Sequence, residues 1–190
     1  MAFRRRGFTS LDWHRTIFFP ARTPQISDDI RNALYDLVFE SMHDGDDYAL
    51  LSFCGTEVER RTRRVIDEDD ELSLYFSDEN GSHSLKFVRE RTGPGGKADW
   101  IVSQLRDDID WTHFDDQRCV IDEISALHLP NLQAILVSTT YTLADGVRNL
   151  LQARNAAAAL VGFVAVPFGS RSIVSKRRRC DDDRDDVLEC

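Results

Sequence analysis

The chain has 190 residues, a formal net charge of −9, and is 42% hydrophobic and 30% charged. That balance excludes a disordered chain and implies one domain large enough to bury a core without disulfide or metal staples. The longest apolar run, Ala156 to Phe168, is interrupted by Gly162 and falls short of a bilayer span, and the basic start "MAFRRRGFTSLDW" has no signal-peptide core behind it. An intracellular protein, in cytoplasm or nucleus and without a membrane segment, is expected.

Cys54 and Cys119 sit in apolar runs and read as buried thiols, while Cys180 and Cys190 lie in a polar tail. No C-x-x-C pair or zinc spacing occurs. Residues 171–190 hold six cations and six anions, so the excess negative charge lies in the preceding part of the chain. An acidic body disfavours nucleic-acid binding over its whole surface and leaves only local arginine patches for it.

Residues 1–26 read as a basic and aromatic N-terminal arm, with Arg4, Arg5 and Arg6 ahead of "LDWHRTIFFP" and with Pro20 and Pro24 opposing a long helix. The segment "SDDIRNALYDLVFESMHDG" predicts a helix. Ser27 is its N-cap, Asp28 and Asp29 suit the positive end of its dipole, and Gly45 is its stop. "YALLSFC" and "TEVERRTRRVI" read as strands. "ELSLYFS" and "SLKFVRE" flank Asn80-Gly81 and read as a hairpin, with Leu72, Leu74 and Phe76 on one face. "RTGPGGKA" is a flexible connector, and "DWIVSQLRDDID" predicts a short helix. "QRCVIDEISALHL" and "NLQAILVSTTY" are compatible with strand or helix. A second long helix is expected from about Thr142 to about residue 162, favoured by the alanines at 156–159.

These readings sum to an α+β fold: an antiparallel sheet of about four to five strands packed by two main helices, with flexible charged termini. The expected division is an arm at 1–26, a single α+β domain at 27–169, and a disordered basic-acidic tail at 170–190.

Three constellations bear on function. Arg60, Arg61, Arg63 and Arg64, with Arg4, Arg5 and Arg6, are candidates to bind nucleic acid or an acidic partner through planar, bidentate contacts. "DEDDE" at 67–71 offers them intramolecular partners instead. Lys176, Arg177, Arg178 and Arg179 match a short nuclear-localisation pattern. In "RDDIDWTHFDDQRC", His113, Asp115 and Asp116 form a candidate divalent-metal site able to activate water, against the plainer account of a solvated loop with Trp111 and Phe114 tucked inward.

No serine elbow, phosphate loop or metalloprotease signature occurs. The sequence therefore reads first as a non-enzymatic regulatory or accessory protein with no cofactor. It would act on a protein partner such as a nuclear-import receptor, and small viral accessory proteins share its general appearance. The alternatives are an RNA- or DNA-binding protein, packaging or silencing-related, and a metal-dependent hydrolase.

Overall fold

In a computed structural model, residues 5–18, 26–76 and 83–164 are described. The elements follow in the order β1 (Arg6–Leu11), α1 (Asp28–Asp44), β2 (Asp47–Phe53), α2 (Thr56–Asp67), α3 (Asp70–Phe76), β3 (His83–Val88), α4 (Lys97–Gln104), β4 (Ile109–Asp115), α5 (Arg118–Ser125), β5 (Leu132–Leu136) and α6 (Leu143–Val164). The five strands form one sheet in the order β3-β2-β1-β4-β5. Every neighbouring pair is parallel.

The expected antiparallel sheet is thereby corrected to an all-parallel sheet of an α/β fold. The error lies in "ELSLYFS". Leu72, Tyr75 and Phe76 are buried while Leu74 is 64% exposed. Burial thus recurs at three- and four-residue spacing, which is helical, and the segment is α3. "TEVERRTRRVI" is likewise helical, as α2, with Thr62 and Ile66 buried four residues apart. Asn80-Gly81 lies outside the described residues, as do Arg4 and Lys176 to Arg179.

Residues 6–11, expected in an N-terminal arm, form the central strand. Phe8 to Leu11 pair with Asp47 to Leu50 on one side, and Arg6 to Leu11 pair with Ile109 to Phe114 on the other. Strand alternation sends side chains to two cores. Leu11, Leu50 and Phe114 meet α1, α3 and α6 on one face. Leu51, Ile109 and Trp111 meet α4 and α5 on the other. Helices on both faces are what right-handed crossovers produce when the chain runs outward from β1 to β3, then returns to lay β4 on the other side of β1.

The predicted helix at 27–43 forms as α1, with Ser27 Oγ accepting from the Ile30 N–H and Gly45 closing the end in a left-handed conformation. Cys54 is buried as expected, but Cys119 is exposed, because α5 turns Val120, Ile121 and Ile124 to the core instead. No helix among the described residues is long and apolar enough to cross a membrane.

Candidate active site

The reversal of strand order between β1 and β4 opens a crevice beyond the carboxyl ends of these strands, the usual ligand position in open parallel sheets. β1 runs directly into Asp12, whose N–H still donates to Phe114 O at 2.9 Å. β4 ends at Asp115, followed by Asp116. The two strands thus deliver three carboxylates to one point. A donor oxygen from each of Asp12, Asp115 and Asp116 lies within 4.8 Å of the others.

Lys97 closes the cluster from the start of α4. Its ammonium donates to Asp12 Oδ1 at 2.6 Å and to Asp115 Oδ2 at 2.5 Å, and its side chain is 2% exposed. The glycine loop ahead of it is built rather than slack. Gly93 and Gly95 take left-handed φ of 73° and 78°, and the Gly96 N–H donates to Gly93 O at 2.9 Å. This turn carries the chain into α4 with its first side chain pointing inward. A buried lysine of this kind requires partners.

The remaining contacts fix one oxygen of each outer carboxylate and leave the other open. Asp12 Oδ1 also accepts from Ser52 Oγ at 2.8 Å, while Oδ2 takes no hydrogen bond from the described residues. Asp116 Oδ2 accepts from Gln117 Nε2 at 2.7 Å, and its Oδ1 takes no hydrogen bond from the described residues. Asp115 is the more fully engaged, accepting the Gln117 N–H at Oδ1 and His113 Nε2–H at Oδ2, 2.8 and 3.1 Å away.

Behind Asp115 a relay runs into the core. Trp111 Nε1–H donates to Ser10 Oγ at 2.8 Å, and Ser10 lies 2.8 Å from His113 Nδ1. Ser10 can therefore give its own proton to Nδ1, which sets the ring with Nε2–H toward Asp115. His113 is fully buried. It orients a carboxylate rather than joining the cluster, in the manner of an outer-shell partner.

The charges are unevenly shared. Burial pushes the Asp115 carboxyl up, but the hydrogen bond from His113 and the charge of Lys97 outweigh it and hold it at about 2. Asp12 is raised by its burial, against Lys97 and with the repulsion of Asp115. Asp116 is raised by burial and by the charges of Asp12 and Asp115. Burial opposes the charge of Lys97, yet the two aspartates raise its pKa, so it stays an ammonium. Three carboxylates share one ammonium, and those with an open oxygen are the ones that resist ionisation. A divalent cation would supply the missing positive charge, and all-carboxylate donors would suit a hard ion such as Mg²⁺.

A cavity of about 530 Å³ opens onto this cluster, lined by Asp12, Lys97, Asp116 and Gln117 together with His14, Arg15, Phe53, Cys54, Gly55, Val58 and Arg91. In a parallel sheet the following helices all start at this end. The N-caps of α2, α4 and α5 (Gly55, Gly96 and Gln117) contribute no side-chain cap, whereas Ser27 caps α1. First-turn N–H groups are thus available where an anion would sit. The crevice offers a cation position and an anion position side by side. No family model, no curated protein and no solved structure matches this chain.

Of the residues singled out from sequence, Asp115 and Asp116 belong to the cluster and His113 supports it. Asp110 is at the far end of β4, about 17 Å away at strand rise, where it pairs with Arg5 at 3.2 Å. Arg6 pairs with Asp47 at 2.8 Å at that same end. Arg60 and Arg61 both pair with Glu57, Arg63 with Glu59, and Arg64 with Glu68, all at helical spacing along α2. Asp12, Ser52 and Lys97 went unrecognised. The available signal was a short strand-like run ending in aspartate, "FTSLD", matching "WTHFDD" later in the chain.

Proposed function

We propose that the protein is a Mg²⁺-dependent phosphohydrolase acting at Asp12. The observation that carries this reading is the convergence of Asp12, Asp115 and Asp116 on one point, with Lys97 against two of them and uncapped helix N-termini around them. Carboxylates with open oxygens hold a hard cation, and Mg²⁺ typically binds through one or two carboxylates plus substrate phosphate oxygens. When bound, the ion neutralises charge on the phosphoryl oxygens.

The chain's own residues divide the remaining work. The α2 and α5 N-termini and Lys97 hold the phosphoryl group against the cluster. Asp12 Oδ1 is fixed by Lys97 and Ser52, which aims its open Oδ2 at the cavity. Oδ2 attacks phosphorus, an Asp12 O–P bond forms, and the ester P–O bond breaks. His14, which lines the same cavity, gives the leaving oxygen its proton. Water then cleaves the acyl phosphate, releasing inorganic phosphate and regenerating the carboxylate. Asp115, held by His113, Lys97 and the Gln117 N–H, keeps the cluster's geometry through both steps.

Hydrolysis of para-nitrophenyl phosphate, followed with Mg²⁺ and with chelator, tests this reading. Turnover that needs the metal and vanishes in Asp12→Asn supports it, as does a phosphoryl group trapped by acid quench on the peptide containing Asp12. Turnover indifferent to chelator and to Asp12→Asn overturns it, and so does the absence of turnover with Mg²⁺.

A further inference from the structure

We infer that the mouth of this cavity selects a small phosphorylated molecule bearing a second acidic group, which Arg15 and Arg91 receive. The inference rests on the phosphohydrolase reading for the position of the first anion.

Arginine is abundant here, and the described arginines are generally spoken for. Arg5, Arg6, Arg31, Arg89 and Arg154 pair with carboxylates of other elements, and those of α2 pair along their own helix. Arg15, Arg91 and Arg118 pair with no carboxylate among the described residues, and of these Arg15 and Arg91 line the cavity. In an acidic chain that is an unusual place to leave two guanidinium groups without anions.

Each is also held in place by something other than an ion pair. Arg15 takes a left-handed φ of 59°, in a turn closed by its N–H donating to Phe18 O at 2.8 Å. A non-glycine residue in that region is uncommon, and such outliers cluster at functional sites. The turn begins one residue after Trp13, whose ring is buried and stacked on Phe18, so the strained segment is anchored. Arg91 lies over the Phe53 ring, 5.1 Å from its centroid. A cation–π contact holds the guanidinium over the ring without using its N–H donors, which stay available for a planar anion.

The ligand follows from the lining. One end is the metal and phosphate position at Asp12 and Lys97. The lining also holds Phe53 and Val58, which suit a short apolar spacer. Its two arginines are both exposed and are matched to a carboxylate or a second phosphate by bidentate hydrogen bonding. The volume is that of a small-molecule site.

The test uses two phosphonates of equal length at saturating Mg²⁺, propylphosphonate with one anionic end and 3-phosphonopropionate with two, titrated calorimetrically into the full chain. The wild type is expected to bind 3-phosphonopropionate about tenfold or more tightly than propylphosphonate, the scale of one charged hydrogen-bond pair. In the Arg15→Ala, Arg91→Ala double variant the two affinities should converge to within about twofold, with Arg91→Lys intermediate because it keeps charge without the planar fork. Equal affinities in the wild type, or a preference that survives in the double variant, overturn the inference and leave the phosphohydrolase reading standing. If neither phosphonate binds, the phosphohydrolase reading fails and the inference falls with it.

Discussion

The two ends of the sheet each bury charge, and they do it differently. At the amino ends of the strands, Asp46 meets Arg154 at 3.3 Å, with side chains 3% and 13% exposed. Asp46 also accepts the Gly7 N–H at 2.8 Å, and Arg154 donates to Thr9 Oγ1 at 3.1 Å. There a carboxylate meets a guanidinium, and the result ties β1 to α6. At the carboxyl ends, Asp12, Asp115 and Asp116 converge, and Lys97 is the ammonium set against the first two. The lower pair is complete as folded. The upper cluster holds more carboxylates than cations, and burial, with the repulsion among those carboxylates, pushes two of them above their ordinary range. Buried charge that is matched serves the fold. Buried charge that is unmatched invites a ligand.

Substitution separates the two ends. The largest effect falls on turnover: Asp12→Asn should lower phosphatase activity by at least about 10³-fold, whereas Asp46→Asn should leave the rate per folded molecule within about threefold. Next comes stability. Lys97→Met and Arg154→Met each strand buried carboxylates and should each cost about 3–5 kcal/mol in denaturant unfolding of the metal-free protein. They should part company when Mg²⁺ is added, with Arg154→Met keeping its cation-dependent stabilisation and Lys97→Met changing it.

Asp116→Asn gives a smaller effect of opposite sign. Because the folded protein raises the Asp116 pKa above 3.8, the folded state binds that proton more tightly than the unfolded state. Ionisation of Asp116 therefore destabilises the metal-free fold as pH rises through the folded pKa. The variant should be more stable than wild type at pH 7 in chelator, by less than about 1 kcal/mol for a half-buried group, with the gain shrinking as pH falls. Equal stability at all pH values would mean that the cluster is not over-charged.

The smallest effect tests an ordinary surface pair. Arg31 meets Asp69 through two hydrogen bonds, at 2.6 and 3.2 Å, and its hydrogen bonds lower the Asp69 pKa. Its contribution is present above the ordinary Asp range and lost as pH falls through the lowered value. Arg31→Ala should cost no more than about 1 kcal/mol at neutral pH.

How much of this was legible in the sequence differs between elements for physical reasons. α1 carried caps and periodic apolar positions, α6 an apolar face and a run of alanines, and β2 was a compact apolar run, so these were readable. α2 mixes β-branched residues with arginines and resembles a strand by composition. Its glutamate–arginine spacing of four, now seen as ion pairs, was the helical signal.

The central strands were hard because parallel strands normally announce themselves as continuous apolar runs. Here Thr9, Ser10, Thr112, His113 and Asp115 are buried within or at the end of β1 and β4. The polarity that disguised those strands is the site's own support: Ser10 and His113 are the relay behind Asp115. Two of the three carboxylates were visible as an Asp-Asp pair. The third, Asp12, lies about a hundred residues earlier in sequence, and only the pairing of β1 with β4 brings it close.

The most direct measurement is a calorimetric titration of Mg²⁺ into the full-length protein and into Asp116→Asn. One saturable site per chain in the wild type, weakened at least about tenfold in the variant, is expected if these carboxylates hold the cation. No specific heat in the wild type, or the same isotherm in both proteins, would contradict it.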